Sequence, residues 1–322
     1  MTRYLIRRLI QGVLLLFLMS IAFFLLLHAI PGGPEAVYFS PRMSGATRAH
    51  LAALLGLDKP LYIQYLAWVW NALHGNFGFS YSDGQPVMQE IGQVLPNSLQ
   101  LFAVAMPLAL IAALLLGVIA AVRQYSITDY TTTVLAYFGI AMPVFWFGLM
   151  VQYIFGVALH NALPIYGIQS PITAGFTPFD FIVDRFLHLI LPGLVLALLF
   201  IATWSRYLRS SMLDVVKQDY IRTAKAKGLG GRSVFFRHAL RNALIPLVTQ
   251  VAIDVGSIFG GAVITETVFA IPGVGKFFYD SLQARDYPIL LALLLISSAA
   301  VILCNILADV LYAVFDPRIR YS

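Results

Sequence analysis

The sequence predicts an all-α membrane protein with six transmembrane helices, on the evidence of its composition and its apolar runs. Of the 322 residues, 60% are hydrophobic and 11% are charged, and the mean hydropathy is +0.82. Soluble domains carry about 25% charged residues, so this composition excludes a water-soluble globular enzyme. Abundant aromatic and aliphatic residues exclude intrinsic disorder. The single cysteine, Cys304, excludes a disulfide framework and a cysteine-based zinc site.

Six segments are long enough to cross a membrane, which takes about 20 mostly apolar residues. They are approximately residues 9–30, 98–122, 132–159, 187–205, 243–266 and 287–314. The first follows Arg3, Arg7 and Arg8, as the core of a signal peptide would. It is longer than such a core and ends in Pro31-Gly32-Gly33-Pro34 rather than in a small-residue cleavage site. We therefore interpret it as a retained span.

The positions of Lys and Arg indicate the orientation of these spans, because cytoplasmic loops are enriched in them. With the N-terminus inside, the inner segments hold 15 of the 21 basic residues, and the outer segments hold Arg42, Arg48, Lys59, Arg185, Lys276 and Arg285. This asymmetry predicts an N-in/C-in topology and accounts for the net charge of +6. Nucleic-acid binding is not expected, because no basic helix outside the spans is interleaved with stacking aromatics.

The chain divides after a long first outer loop. Residues 1–97 comprise the first span and this periplasmic loop, and residues 98–322 form a core of five spans. The loop contains an amphipathic stretch, Ala46–Leu57, and an aromatic cluster typical of a membrane interface: Tyr62, Tyr65, Trp68 and Trp70. These features predict helices on the membrane surface rather than a separate soluble domain.

The inner loop 206–242 contains nine of the 15 inner basic residues. Asp219 is a suitable N-cap and Gly228 a suitable C′ glycine, so the sequence predicts a helix of about two turns between them. Such a short helix is marginal alone and would be stabilised by docking into a partner's groove. The alternative is a basic loop that only follows the positive-inside rule.

The loop closely resembles the cytoplasmic loop of ABC-importer permeases. The matching segments are Asp219-Tyr220-Ile221-Arg222-Thr223-Ala224-Lys225-Ala226-Lys227-Gly228 and His238-Ala239-Leu240-Arg241-Asn242-Ala243-Leu244-Ile245-Pro246. The resemblance is greatest to B-type subunits of dipeptide, oligopeptide, glutathione and nickel uptake systems. It extends over the whole chain, through residues 56–60, 75–78, 260–269, 272–275, 285–288 and 316–320.

The chain departs from the broader permease motif at two places. Arg222-Thr223-Ala224 stands where that motif has Glu-Ala-Ala, and Arg241 stands at the position of its terminal proline. A charge pairing of that glutamate with the ATPase is therefore in doubt for this chain. The peptide-permease branch shows the same variation, so the resemblance itself is not affected.

The resemblance implies a type I ABC-importer permease fold in the bacterial inner membrane. A C-type permease would supply the other half of a heterodimeric pore, two ATPase subunits would bind ATP and Mg, and an extracytoplasmic solute-binding protein would deliver di- or oligopeptides. This subunit would bind no cofactor or metal itself. The coupling helix would contact the ATPase through Asp219, Tyr220, Arg222, Thr223, Ala224, Lys225, Lys227, Gly228 and Leu229. Nickel chelates, glutathione and other small solutes are alternative cargoes.

No catalytic motif is present in the sequence. Gly273-Val274-Gly275-Lys276 resembles part of a P-loop, but Ala270 and Phe277 stand where that motif needs Gly and Ser or Thr. An outer turn is the simpler interpretation. An intramembrane enzyme would need a partner for its intramembrane acid, and a secondary transporter would show inverted repeats, which the sequence lacks. We therefore expect a non-catalytic transport subunit.

Polar residues within spans are costly and commonly face a bundle interior or a cavity. We expect the translocation pathway to include Gln152, Gln250, Asp254, Ser257 and Asn305. Gln250, Asp254 and Ser257 have helical spacing and can share one face. The Asp254 carboxylate would meet the ammonium group of a peptide or a cation, or would instead form a structural hydrogen bond or ion pair to the partner permease.

Other residues within the spans are expected to have structural roles. Asp309 is expected to pair with a basic residue, and His28 and Glu266 to lie at the membrane interface. Three prolines are expected to kink their helices, and three glycines to allow close helix packing. These residues are Pro107, Pro143, Pro192, Gly256, Gly260 and Gly261.

Overall fold

The computed structural model describes residues 2–30, 44–47, 50, 53, 56 and 58–315, and within them every regular element is helical. The helices are α1 (Thr2–His28), α2 (Leu61–Leu73), α3 (Val87–Val122), α4 (Ile127–Ala141), α5 (Val144–Tyr153), α6 (Pro178–Val216), α7 (Asp219–Ala226), α8 (Arg241–Gly256), α9 (Val263–Val268), α10 (Val274–Ala284) and α11 (Tyr287–Phe315). A π-helical turn, Ile154–Ala158, extends α5, and a 3₁₀ turn, Ser257–Gly260, extends α8. The prediction of an all-α fold is confirmed.

In the part of the chain that the structure describes, five helical segments are long and apolar enough to cross a membrane: Ile6–His28, Val87–Val122, Pro178–Val216, Gly231–Gly260 and Tyr287–Val310. The predicted third span is instead a pair, α4 and α5 with its π-helical turn, bent by 99°. The bend lies at Pro143, whose ring disfavours helical geometry at the preceding residue, and Met142 is accordingly extended with ψ 125°. Pro107 and Pro192 lie inside the continuous helices α3 and α6.

Several helices differ in extent from the predicted spans. The helix of the second span begins at Val87 rather than near residue 98, that of the fourth runs over Pro178–Val216 rather than 187–205, and that of the fifth does not continue to residue 266. Its helix ends at Gly260, because Gly261 takes a left-handed φ of +70° and turns the chain toward α9. The stretch Ala46–Leu57 lies mostly outside the described residues, as do Arg42, Arg48, Arg318 and Arg320.

The main core lies between α3 and α6. Leu101, Ala105, Ala109 and Ala113 of α3 lie four residues apart and are fully buried. Gly117 allows the closest approach, because a Cβ there would lie 2.8 Å from the carbonyl oxygen of Ser205. Small residues at helical spacing let the two backbones pack closely where polar contacts are few.

The helices α8 and α1 both pack on α11. A Cβ at Gly256 would lie 2.9 Å from Val301 Cα, so this predicted packing glycine joins α8 to α11 within the subunit. At the other side, Arg8 of α1 forms an ion pair of 3.0 Å with Asp309, which confirms the prediction that Asp309 pairs with a basic residue. We call the end of the bundle that carries α7 and this ion pair the α7 end, and the opposite end the far end.

The aromatic cluster of the first loop divides between two environments. On α2, Tyr65 and Trp68 pack against Phe24 of α1 with ring centroids 5.4 and 6.0 Å apart. Tyr62 and Trp70 are exposed. Half of the cluster therefore attaches α2 to the end of α1, and only the other half is available to a membrane interface.

Glu266 is the central polar residue of the far end. Its side chain is fully buried, so the expectation that it lies at the membrane interface was wrong. Oε1 accepts hydrogen bonds from Ser98 Oγ (2.8 Å) and the backbone N–H of Ala262 (3.1 Å). Oε2 accepts from the backbone N–H groups of Gly275 (2.7 Å) and Lys276 (3.0 Å). The carboxylate thus fastens α9 to α3 and to the N-terminus of α10.

Close backbone contact accompanies this carboxylate. A Cβ at Gly261 would lie 2.2 Å from the backbone nitrogen of Gly275, and one at Gly273 would lie 2.4 Å from Glu266 Oε2. Gly260 differs, because a Cβ at this position would meet only Ser297 Oγ at 3.9 Å. Of the predicted packing glycines, Gly256 and Gly261 are therefore sterically required, and Gly260 is not.

Replacing Glu266 by Gln should lower the free energy of unfolding by about 2–3 kcal/mol, because the amide N–H₂ would face two donors where an oxygen now accepts. Thermal unfolding of the purified protein, followed by tryptophan fluorescence, measures the change. Asp280→Asn is the matched control, since Asp280 lies on α10 and forms only a surface ion pair with Lys276, worth about 0–1 kcal/mol. Equal stability of the two variants would contradict the role given to Glu266.

Candidate functional site

The helix α7 lies between α6 and the stretch that leads into α8. It is amphipathic: Ile221 and Ala224 are buried in the main core, whereas Asp219, Arg222 and the remaining α7 residues other than the partly buried Tyr220 are exposed. Two buried side chains one turn apart fix the helix to the protein. Its opposite face is left free to contact another protein.

The start of α7 differs from the prediction. Gln218 is the N-cap residue, with extended geometry (φ −69°, ψ 148°), and Asp219 is the first helical residue. The Asp219 side chain makes no capping hydrogen bond; its Oδ1 lies 3.5 Å from Arg222 Nη1, and both side chains are exposed. The Asp219 carboxylate therefore stabilises α7 through its position in the first turn, where the helix dipole favours a negative charge.

The end of α7 agrees with the prediction. Gly228 occupies the C′ position with φ +75°. Its N–H donates to the carbonyl of Lys225 (3.0 Å), and the N–H of Leu229 donates to that of Ala224 (3.3 Å). This pair of bonds is a Schellman motif, which stops the helix sharply and satisfies carbonyls that would otherwise lack partners.

The chain returns to the bundle through a helical turn, Gly231–Ser233, and a π-helical stretch, Val234–Leu240. Val234 and Ala239 are buried and belong to the same core as Ile221. The stretch is continuous with α8. Short connections, residues 217–218 and 227–230, therefore join α7 to α6 and to the helical turn that leads into α8.

Three of the predicted pathway residues form one group around Asp254 of α8. Its Oδ2 accepts a hydrogen bond from Trp204 Nε1 of α6 (2.7 Å), and its Oδ1 accepts from Gln250 Nε2 (3.0 Å). Ser257 Oγ donates to the Asp254 backbone carbonyl (2.6 Å). The carboxylate is thus held in one orientation and remains partly exposed.

The other two predicted pathway residues lie elsewhere. Gln152 donates through Nε2 to the carbonyls of Ile165 (2.8 Å) and Val268 (2.9 Å), and so joins α5 to the following loop and to α9. Asn305 lies on the exposed face of α11. Within the described residues, no hydrogen bond connects either residue to the Asp254 group.

The P-loop-like turn at Gly273–Lys276 has no N–H groups left over for a phosphate. The first N–H groups of α10 have no acceptor within the helix. Those of Val274, Gly275 and Lys276 donate instead to Ser98 and Glu266. No group of three or more His, Cys, Asp or Glu side chains in the described part of the chain has a geometry suited to a metal ion. The partial P-loop motif is a structural turn.

Sequence reasoning missed the ion pair between Asp129 and Arg209. Arg209 donates two hydrogen bonds to the carboxylate, from Nε (2.6 Å) and Nη2 (2.8 Å), and Asp129 is 2% exposed. The pair joins α4 to α6 at the α7 end. The sequence did contain a signal for this pair. Asp129 lies in the first turn of α4, which Ser126 caps, and Arg209 lies just beyond the predicted fourth span.

The fold defines a multi-pass helical membrane protein. A family model described as "binding-protein-dependent transport system inner membrane component" matches residues 113–321. A second family model, for the N-terminal part of such components, matches residues 1–102. The chain belongs to this family of inner-membrane permease components.

Curated relatives cover the whole chain. It is 42% identical over 322 residues to an oligopeptide transport system permease protein of Bacillus subtilis, with all of both chains aligned. It is 37% identical over 334 residues to a dipeptide transport system permease protein of Alkalihalophilus pseudofirmus, also with all of both chains aligned. A dipeptide transport system permease protein of Escherichia coli K12 is 41% identical over 318 residues, or 93% of each chain.

Proposed function

We propose that the chain is the permease subunit of an ATP-binding-cassette importer for di- or oligopeptides. The observation that carries the proposal is the full-length identity of 37–42% to relatives named as dipeptide or oligopeptide permeases. The subunit forms half of a pore with a C-type permease. Two ATPase subunits bind ATP and Mg, and an extracytoplasmic solute-binding protein delivers the peptide. Residues 1–97 and 98–322 are its two parts.

In this proposal the α7 end is cytoplasmic, and the chain crosses the membrane six times with both termini inside. Six successive apolar elements support six crossings, namely α1, α3, the bent pair α4–α5, α6, α8 and α11. The bent pair counts as one crossing. The basic residues at the α7 end, among them Arg206, Arg209 and Lys225, support an inward orientation of this end.

The helix α7 is the contact to the ATPase. Its exposed face carries Arg222, Lys225 and Lys227, and its buried face is fixed to the core by Ile221 and Ala224. Arg222, where the broader motif has Glu, supplies a positive charge, so the facing ATPase surface would be acidic. Movement of the ATPases reaches α6 and α8 through the short connections on either side of α7.

The Asp254 group contacts the solute during translocation. The carboxylate is oriented by Trp204 and Gln250, and each of its oxygens retains capacity to accept a further hydrogen bond. It can therefore meet the ammonium group of a peptide without rearrangement. Ser257 supports the backbone of this group, Asn305 is a second pathway residue on the exposed face of α11, and Gln152 serves the wall of the pathway by fixing α5.

Peptide uptake by the complete transporter tests the proposal directly. We expect vesicles that contain the permease pair, both ATPases and the binding protein to accumulate labelled di- or oligopeptide only when ATP is present. Glutathione and a nickel chelate are assayed in parallel. If glutathione or the nickel chelate accumulates and peptide does not, that compound is the solute instead of peptide. Accumulation of peptide without ATP would indicate a secondary transporter.

Gly228→Pro should uncouple ATP hydrolysis from uptake. Proline cannot take the φ of +75° and lacks the N–H that bonds to Lys225, so the end of α7 is displaced. We expect peptide uptake to fall at least about tenfold, since strain of this kind costs well over the energy of a tenfold change. Transport and ATPase activity of the reconstituted complex measure the effect.

The control is Gly230→Pro, two residues further along. Gly230 has φ −57° and ψ 142°, which suit proline, so this variant should transport normally. Full transport by the Gly228→Pro complex would exclude a coupling role for α7.

Asp254→Asn should reduce peptide uptake by about tenfold while the complex still assembles, because the isosteric amide retains one acceptor but loses the charge. Uptake rate and subunit composition on a native gel are measured together. Thr249→Ala is the control, since Thr249 lies on the same helix outside the Asp254 group and its hydroxyl donates to the Ile245 backbone carbonyl. Loss of the partner permease from the Asp254→Asn complex would instead assign the carboxylate to assembly.

A further inference from the structure

A cavity of about 450 Å³ lies between α3 and α6 at the far end of the bundle. Its walls are mainly apolar and include Val104, Phe181 and Phe186. Two polar side chains line it, Gln100 of α3 and Arg185 of α6. Neither belongs to the Asp254 group or to α7.

Arg185 has unused hydrogen-bonding capacity. Its Nη1 is buried and has no hydrogen-bond partner among the described residues. The adjacent Asp184 is already engaged, because its oxygens accept from Ser170 Oγ (2.5 Å) and Ser170 N–H (2.8 Å), and Oδ1 lies 3.4 Å from His188 Nδ1. A buried guanidinium donor without a partner is costly, so an anion in this cavity would be stabilised.

The surroundings of Arg185 indicate where this anion comes from. The apolar run of α6 begins at Leu187, so the guanidinium lies where the helix enters the membrane. Phe181, Ile182 and Phe186 are respectively 45%, 68% and 54% exposed beside it. Exposed apolar side chains beside an arginine suit the boundary between acyl chains and lipid headgroups, because the arginine keeps its charge in the polar layer.

We propose that this cavity binds an anionic phospholipid, with the headgroup phosphate on Arg185 and Gln100 and an acyl chain along Phe181, Ile182 and Phe186. The planar guanidinium pairs with phosphate through two parallel hydrogen bonds. The apolar walls fit an acyl chain and offer no partners to the backbone of a peptide, which would have to lose its hydrogen bonds to water. The site is independent of the solute carried.

Native mass spectrometry of the purified complex, titrated with phosphatidylglycerol and separately with phosphatidylcholine, tests this site. We expect phosphatidylglycerol to bind about tenfold more weakly to the Arg185→Gln complex than to the wild type, the loss expected for a charged hydrogen-bonded pair. Arg285→Gln is the matched control, because Arg285 is an exposed arginine at the same end of the bundle, and it should bind like the wild type.

Arg185→Lys keeps the positive charge but not the planar guanidinium, and it replaces Arg185→Gln in the test if that variant does not fold. Its affinity for phosphatidylglycerol should lie between those of the wild type and Arg185→Gln. Equal phosphatidylglycerol binding by wild type and Arg185 variants would overturn the proposal. So would loss of the partner permease with lipid binding retained, which would make Arg185 a subunit contact. A raised KM for peptide with unchanged lipid binding would likewise overturn it and assign the cavity to the solute.

Discussion

The far end of the protein depends on one buried carboxylate. An ionised group in an apolar interior is tolerated only when its hydrogen bonds are satisfied, and Glu266 satisfies its own with one hydroxyl and three backbone N–H groups. Two of these N–H groups belong to the first turn of α10, where the helix dipole favours a negative charge. Because α10 leads directly into α11, and α11 packs on α1 and α8, the position of Glu266 constrains the whole bundle. Gly261 and Gly275 are small because their backbones meet beside it.

The α7 end is organised differently, by side chains that fix short elements to long ones. Ile221 and Ala224 hold α7 in the main core, and the ion pair between Asp129 and Arg209 holds α4 to α6. The result is a small exposed helix on a firm support. In the proposed function, exposure makes this helix accessible to the ATPase, and the support allows the ATPase's movement to reach the spans. Neither property would be useful without the other, and both follow from the same amphipathic sequence.

The sequence was sufficient for the helical class, the approximate spans and the end of α7, because long apolar runs and a glycine at C′ are local signals. It was insufficient where a contact joins distant segments. Glu266 and Ser98 are 168 residues apart, so the burial of Glu266 could not be read from its place near a span end. Likewise, Trp204 is 50 residues from Asp254. Pro143 was predicted to kink its helix, but the sequence did not give the angle of 99°. Asp219 correctly marked the start of α7, but the N-cap is the preceding residue, Gln218.

The uninterrupted length of α6 has a mechanical consequence. Its 39 residues make a rod about 58 Å long at 1.5 Å per residue, nearly twice the roughly 30 Å thickness of a bilayer's hydrocarbon core. A rigid-body tilt of such a helix by about 5° about one end would displace the other end by about 5 Å, close to the pitch of one helical turn. In the proposed transporter, a small rotation at the end that carries α7 would therefore move the opposite surface by about one turn of helix.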